Sequence, residues 1–267
     1  DRIKEITLVW NISYDERFDL LKKNIKCWDD PKLLKELKET KKKDIQEKMI
    51  HINQQNEVLI HPRKNISHEL QSILKKTSND IYFDVESFLS FDEKCNLFKD
   101  MDIIKEPVLG ILGFIHMDHF YNYTINHFTK EDEELIVRNF VSHLWKIGKK
   151  DSINIYHWGH AEYNYLQYIH NVYPDIQFPD YKLINILDHF RLEPIIVQGV
   201  FQFGLKSIGK ALHRNNLIKT TWEEHDNGLD TMIQFKELCK NHTKNIPLKR
   251  YNDIQKIIEY NEVDCQV

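Results

Sequence analysis

Apolar and polar positions along this chain change their rhythm near residue 78. Before that point the pattern is polar and helical. Ser13 stands three residues ahead of Glu16, the spacing at which a serine side chain and a glutamate side chain satisfy each other's backbone N–H groups at a helix start. Farther on, Pro31 opens a run in which Leu33, Leu34, Leu37 and Ile45 recur at helical spacing, which predicts helix through residues 29–50.

After residue 78 the period shortens toward two. Residues 81–86, 107–117 and 119–128 are β-rich runs in succession, a meander of neighbouring strands, with Gly110 and Gly113 inside the second. Residues 129–148 then read as a helix, with Thr129 as its cap, acids in its first turn and Ile136, Phe140, Leu144 and Ile147 on one face. A strand at 153–158, a helix opened by Gly159-His160-Ala161-Glu162, a short strand at 182–188 and several helices, the last over 253–265, complete the order. No repeat or low-complexity linker interrupts it, so two parts are expected: a helical N-terminal module over 1–78 and an α/β domain over 79–267. That domain is expected to hold a mixed five-stranded sheet flanked by helices. The sequence stops at Val267, three residues past Asp264, so the last helix is expected to be cut short and the chain to be part of a longer protein.

Composition adds exclusions. With 41% apolar and 12% aromatic residues in 267, the chain is too hydrophobic for disorder. Nothing in it approaches the roughly 18–20 apolar residues of a membrane helix, and the start lacks a signal-peptide layout. No membrane is therefore expected, and the compartment is expected to be cytoplasmic or nuclear. Cys27, Cys95, Cys239 and Cys265 form no zinc-type spacing and are expected to be free thiols. The formal charge of −4 gives no general attraction to a polyanion, so binding to one would need a local basic surface or a metal ion bridging phosphate to carboxylate.

The candidate chemistry lies in three acidic stretches. Asp84 and Glu86, two apart in a strand, leave the same face about 6–7 Å apart, while Phe83 and Val85 face the other way. Two like charges on one face are tolerable at a sheet's end or with a cation between them. Tyr260 and Asp264, four apart on a helix, share a face beside Ile257 and Ile258. Between these stretches, His157, His160 and Glu162 crowd the seam between a strand and a helix, without the spacing of a zincin-type helix.

In this order the three stretches resemble the motifs of the DEDD exonuclease superfamily, also called DnaQ-like, in its tyrosine-containing DEDDy branch. Phe-Asp84-Val-Glu86-Ser is similar to the first motif and Tyr260-Asn-Glu-Val-Asp264 to the third. Tyr156-His157-Trp-Gly-His-Ala-Glu162 has the form of the second motif in a set of predicted nucleases labelled RecB-like. Residues 184–190, 203–212 and 227–237 are similar to further stretches of that set, and residues 6–28 to the small helical module that precedes the domain there.

The resemblance implies a ribonuclease-H-like fold, as the element order also suggests, and a 3′-5′ exonuclease acting on DNA or RNA, with a single-stranded 3′ end as partner. Asp84, Glu86, Glu162 and Asp264 would hold two Mg²⁺ or Mn²⁺ ions. Tyr260 would orient the attacking water or the phosphate, since a phenol of pKa about 10 accepts protons poorly. His157, Asp188 and Lys206 are candidates for substrate contact, Asp188 being also an alternative to Glu162 as metal ligand. Two further readings stay open: a nucleic-acid-binding module of weak or no catalysis, fused to or associated with a helicase or second nuclease domain, and a structure-selective endonuclease. Glu162 is one methylene longer than the Asp usual at its position, so this is where the site is expected to depart from the family's pattern.

Overall fold

The computed structural model describes residues 4–40, 42–55, 60–62, 66–88, 108–149, 151–222, 238 and 246–267. Cys95, Cys239 and the stretch 227–237, one of those that carry the resemblance, lie outside the described residues. In chain order the elements are α1 (Tyr14–Lys22), α2 (Leu33–Glu36), α3 (Lys43–Gln54), β1 (Ile60–His61), α4 (His68–Ile73), β2 (Asp80–Phe88), β3 (Val108–His116), β4 (His119–Thr124), α5 (Lys130–Ile147), β5 (Ile153–His157), α6 (Ala161–Val172), β6 (Tyr181–Asn185), α7 (Ile186–Leu192), β7 (Ile196–Val197), α8 (Leu205–Arg214) and α9 (Asn252–Gln266). The chain forms two compact units, one of residues 1–75 with 187–221, the other of 76–186 with 222–267. The expected break at 78 is close to the first of these divisions. Residues 187–221 were expected in the second part and belong to the first.

In the first unit, Ser13 and Glu16 close the expected capping box, Ser13 Oγ accepting from the Glu16 N–H at 3.2 Å and Glu16 Oε2 accepting from the Ser13 N–H at 2.8 Å. The stretch 29–50 is two helices, because the chain turns extended at Leu37, whose side chain joins the core of Ile6, Val9, Leu20, Ile25, Trp28, Leu33 and Ile50. Burying that leucine outweighs continuing the helix through a charged segment. Long-range pairing brings in the later stretch. Val197 pairs with Ile60 and Ile196 with His61, an antiparallel ribbon in a part expected to be helical. Asn53 accepts from the Gly199 N–H at 2.7 Å and donates to the Val200 carbonyl at 3.0 Å, and Phe201 packs on Trp28 with ring centroids 4.7 Å apart.

The second unit is α/β, with a five-stranded mixed sheet in the order β4-β3-β2-β5-β6. The pairs β4–β3 and β3–β2 are antiparallel, and β2–β5 and β5–β6 are parallel. Alternation on β2 assigns the two faces. Phe83 and its cross-strand partner Phe114 both pack on Phe140 of α5, with centroids 5.2 and 5.5 Å away. Odd-numbered positions of β2 therefore face α5, and Asp84 and Glu86 face away from it, toward α9. The Thr129 cap is present, its hydroxyl accepting from the Asp132 N–H. The strand expected over 182–188 ends at Asn185, where helix takes over, so Asp188 lies in the first turn of α7 and not at a strand end. Among the described residues, no helix is long and apolar enough to cross a membrane.

One buried carboxylate ties three elements of this unit together. Glu133, fully buried in the first turn of α5, accepts from the Leu109 N–H of β3 at 2.7 Å, from the Tyr168 hydroxyl of α6 at 2.8 Å, from the Tyr173 hydroxyl at 2.6 Å and from Lys130 Nζ at 3.3 Å. With Oε1 accepting from three donors and Oε2 from one, and with the helix N-terminus favouring negative charge, the carboxylate is held in place. Removing it would strand three donors and a cation. Glu133→Ala is expected to cost about 3–5 kcal/mol, read as a shift of the urea midpoint without a change in slope. A midpoint within error of the wild type would show that this network holds nothing together.

Candidate metal centre

The centre is built where β2 and α9 meet. Asp84 pairs in register with Gly113 of β3, so the position beside Asp84 on the sheet carries no side chain. Asn261 of α9, fully buried, occupies that space and donates from Nδ2 to Asp84 Oδ2 at 2.6 Å. A Cβ at residue 113 would lie 1.6 Å from Asn261 Oδ1, so glycine is required there for close approach and not for its backbone freedom. Ile254, Ile257, Ile258, Asn261 and Cys265 form the buried stripe of α9. Tyr260 and Asp264 stand one turn apart on the shoulder of that stripe.

Seating α9 brings acids from two distant stretches together. Among the described residues, Asp84, Glu86 and Asp264 offer carboxylate oxygens that all lie within 4.8 Å of one another, a group that could hold a metal ion. All three are half-buried. Burial, and then the charges of Asp264, Glu86 and Glu162, push the Asp84 carboxyl well above its ordinary range, against the opposing effect of the Asn261 hydrogen bond. The donor set is one of hard oxygens, suited to Mg²⁺ or Mn²⁺ better than to a soft metal. Positive charge among these acids would relieve the repulsion that raises the Asp84 carboxyl, and in that sense the residues fit a divalent cation.

Two neighbours orient the acids. The Trp222 indole, buried, donates from Nε1 to Asp264 Oδ1 at 2.7 Å. The Tyr260 hydroxyl also hydrogen-bonds Asp264, and its ionisation is driven above the usual phenol value of 10 by burial first, then by the charges of Asp264, Glu86 and Asp84. The phenol is thus held protonated, as an orienting donor.

Of the other predicted residues, Glu162 is in the first turn of α6 and outside the 4.8 Å group, although its charge reaches Asp84. It is buried, and its Oε2 faces His157 Nδ1 at 3.6 Å, beyond hydrogen-bond length; neither atom has a hydrogen-bond partner among the described residues. The turn between them bends at Gly159, whose φ of +100° suits glycine and whose N–H bonds Asn185 Oδ1 at 3.0 Å. Asp188, in the first turn of α7, and Lys206, in the first turn of α8, belong to the first unit. Cys265, buried beside the centre, and Cys27 are free thiols.

Asn261, Trp222 and Gly113 were not singled out from the sequence as parts of the centre. Asn261 lies within the Tyr260–Asp264 motif, one residue from Tyr260 on the apolar stripe, and a polar residue on that stripe was the available signal. Comparison with protein-family models, with curated proteins and with solved structures returned no match.

Two outcomes follow. Because the folded chain holds the Asp84 proton more tightly than the unfolded chain, this group's contribution to stability without a cation is full below the ordinary Asp value of 3.8 and is lost as pH rises through the raised value. In EDTA, Asp84→Asn is therefore expected to melt higher than the wild type near neutral pH and to converge with it as pH falls. Mg²⁺ or Mn²⁺ should raise the wild-type melting temperature and leave Asp84→Asn little changed; a wild type indifferent to both ions would argue against a metal centre. Separately, Gly113→Ala is expected to cost about 2–3 kcal/mol by driving Asn261 off Asp84, and much less in an Asn261→Ala background. A double-mutant cycle with no coupling would show that the two do not meet.

Proposed function

We propose that the chain is a metal-dependent phosphodiesterase, in particular a 3′-5′ exonuclease of DNA or RNA working through two Mg²⁺ or Mn²⁺ ions on a ribonuclease-H-like sheet. The observation that carries this reading is the convergence of Asp84, Glu86 and Asp264, from stretches far apart in the sequence, within one 4.8 Å group. The strand order β4-β3-β2-β5-β6, with an antiparallel meander joined to two parallel strands, is compatible with that fold. The motif resemblance set out above supplies the reaction class.

Asp84, Glu86 and Asp264 would hold the ions, with Glu162 as the expected fourth ligand. Divalent cations bound among these acids supply charge stabilisation at a phosphodiester and a water made more acidic. The chain's own residues do the positioning. Asn261 and Trp222 fix one oxygen each of Asp84 and Asp264, so those carboxylates enter the centre in a set orientation. Tyr260 keeps its proton and donates it in a hydrogen bond to Asp264, which leaves its hydroxyl oxygen to accept a hydrogen bond from a water and so orient it. A second reading, a binding module of weak or no catalysis, draws on Glu162 lying outside the three-acid group.

The test is release of mononucleotides from 3′-labelled DNA and RNA with Mg²⁺ or Mn²⁺, beside circular single strands. The wild type is expected to shorten linear strands from the 3′ end and to leave circles intact, and Asp84→Ala to lose activity by on the order of 10²-fold or more. Tyr260→Phe should lower kcat with little change in the metal concentration needed. Binding without degradation under either metal would leave the second reading standing and refute the first. Cut circles would make the chain an endonuclease.

A further inference from the structure

Several described cations of this chain have a carboxylate beside them: Arg17 on Glu5, Lys38 on Glu16, Lys48 on Asp44, Lys76 on Asp118, Arg138 on Glu134. The stretch between Glu193 and Glu223 is different. Over residues 194–222 it holds Lys206, Lys210, Arg214, Lys219 and His213, and no acid. It thus contributes four positive charges to a chain of net −4, which leaves the remainder at −8. Lys210, Arg214 and Lys219 form no ion pair among the described residues.

The fold gathers these charges on one side of α8. Lys206, Lys210 and Arg214 are four residues apart, so they line one face at steps of about 6 Å, about 12 Å end to end, with His213 between the last two. Ile208, Gly209 and Ala211, on the opposite side, are buried in the first unit and fix how the helix is rolled. Arg214 and Lys219 are exposed and Lys206 and Lys210 half-exposed. A helix that binds a lipid surface needs a free apolar face as well as a basic one. Here the apolar face is already packed within the protein, so only the charges are on offer.

We infer that the basic face of α8 binds the phosphate backbone of a nucleic-acid strand, independently of base sequence. An evenly stepped row of cations suits an evenly spaced row of phosphates. The choice of nucleic acid over another polyanion rests on the phosphodiesterase reading above. The surface also supplies the local positive charge that the net charge of the chain withholds.

The experiment is fluorescence anisotropy of a labelled single-stranded oligonucleotide of about 20 nucleotides with the full chain in EDTA, from about 50 to 200 mM KCl. Wild type, Lys210→Glu with Arg214→Glu, the conservative Lys210→Arg, and Lys146→Glu at an exposed position of α5 as a charge control are compared, their folding checked by thermal melting. Each lost phosphate contact should make the slope of log affinity against log salt shallower by about 0.7, so about 1.4 for the double variant. Its affinity at the lowest salt should fall by about 10-fold or more, while Lys210→Arg and Lys146→Glu stay close to wild type. An unchanged slope and affinity in the folded double variant overturns the proposal, as does a Lys146→Glu loss of equal size. Binding to anionic phosphatidylserine vesicles that alone is lost in the double variant would make the partner a membrane and also overturn it. Nuclease assay of the wild type separates the two readings: no hydrolysis, with the slope lost as expected, refutes the nuclease and leaves this surface assigned.

Discussion

The grouping of the three acids depends on one missing side chain. Because residue 113 is glycine, Asn261 can lie against β3 and reach Asp84, and α9 can settle on the sheet at the depth this requires. With α9 at that depth and Ile254, Ile257 and Ile258 beneath it, Tyr260 and Asp264 come to its shoulder, beside Asp84 and Glu86. A methyl group at 113 would have to displace Asn261, and with it the hydrogen bond and the seat of the helix. The spacing of the acids is therefore set by close packing, which tolerates little adjustment.

Burial alone does not mark a carboxylate as part of such a centre, and the second unit contains the comparison that shows it. Glu133 is more deeply buried than Asp84, yet it is surrounded by donors from Leu109, Tyr168, Tyr173 and Lys130. Its charge is met, and its role is to clamp β3, α5 and α6. Asp84 has one strong donor, Asn261, and faces the charges of Asp264, Glu86 and Glu162, which together push its carboxyl upward. An arrangement that raises its own electrostatic cost in this way is one that a bound cation would relieve.

The sequence revealed what is local and hid what is long-range. The period-two pattern at 81–86 fixed which face of β2 carries Asp84 and Glu86, and Thr129 and Ser13 marked helix starts because a cap is a contact between near neighbours. The membership of residues 187–221 in the first unit was not legible, because it is made by Asn53 with Gly199 and by Ile60 with Val197, partners more than 130 residues apart in sequence. The helix over 29–50 was read as unbroken for a related reason: Leu37 fits helical spacing, and only the core it enters explains why the chain extends there. Leu187 and its neighbours are apolar enough for either structure, and helix wins after Asn185, so Asp188 is not at a strand end. Gly113 and Asn261 were legible as residues and not as a pair.

The seam between β5 and α6 belongs to the same electrostatic unit. Buried side-chain atoms without a hydrogen-bond partner are uncommon in folded proteins. Among the described residues there are four such atoms, and three of them are Asn261 Oδ1, Glu162 Oε2 and His157 Nδ1. Asn261 bonds Asp84, Glu162 acts on Asp84 through its charge, and His157 faces Glu162. Of the four, only Arg191 Nε lies away from the acids, and at Glu133 the buried polarity is met. Glu162, the residue whose extra methylene marked it as the point of departure, stands at the edge of this region, its carboxylate turned to an imidazole and outside the three-acid group.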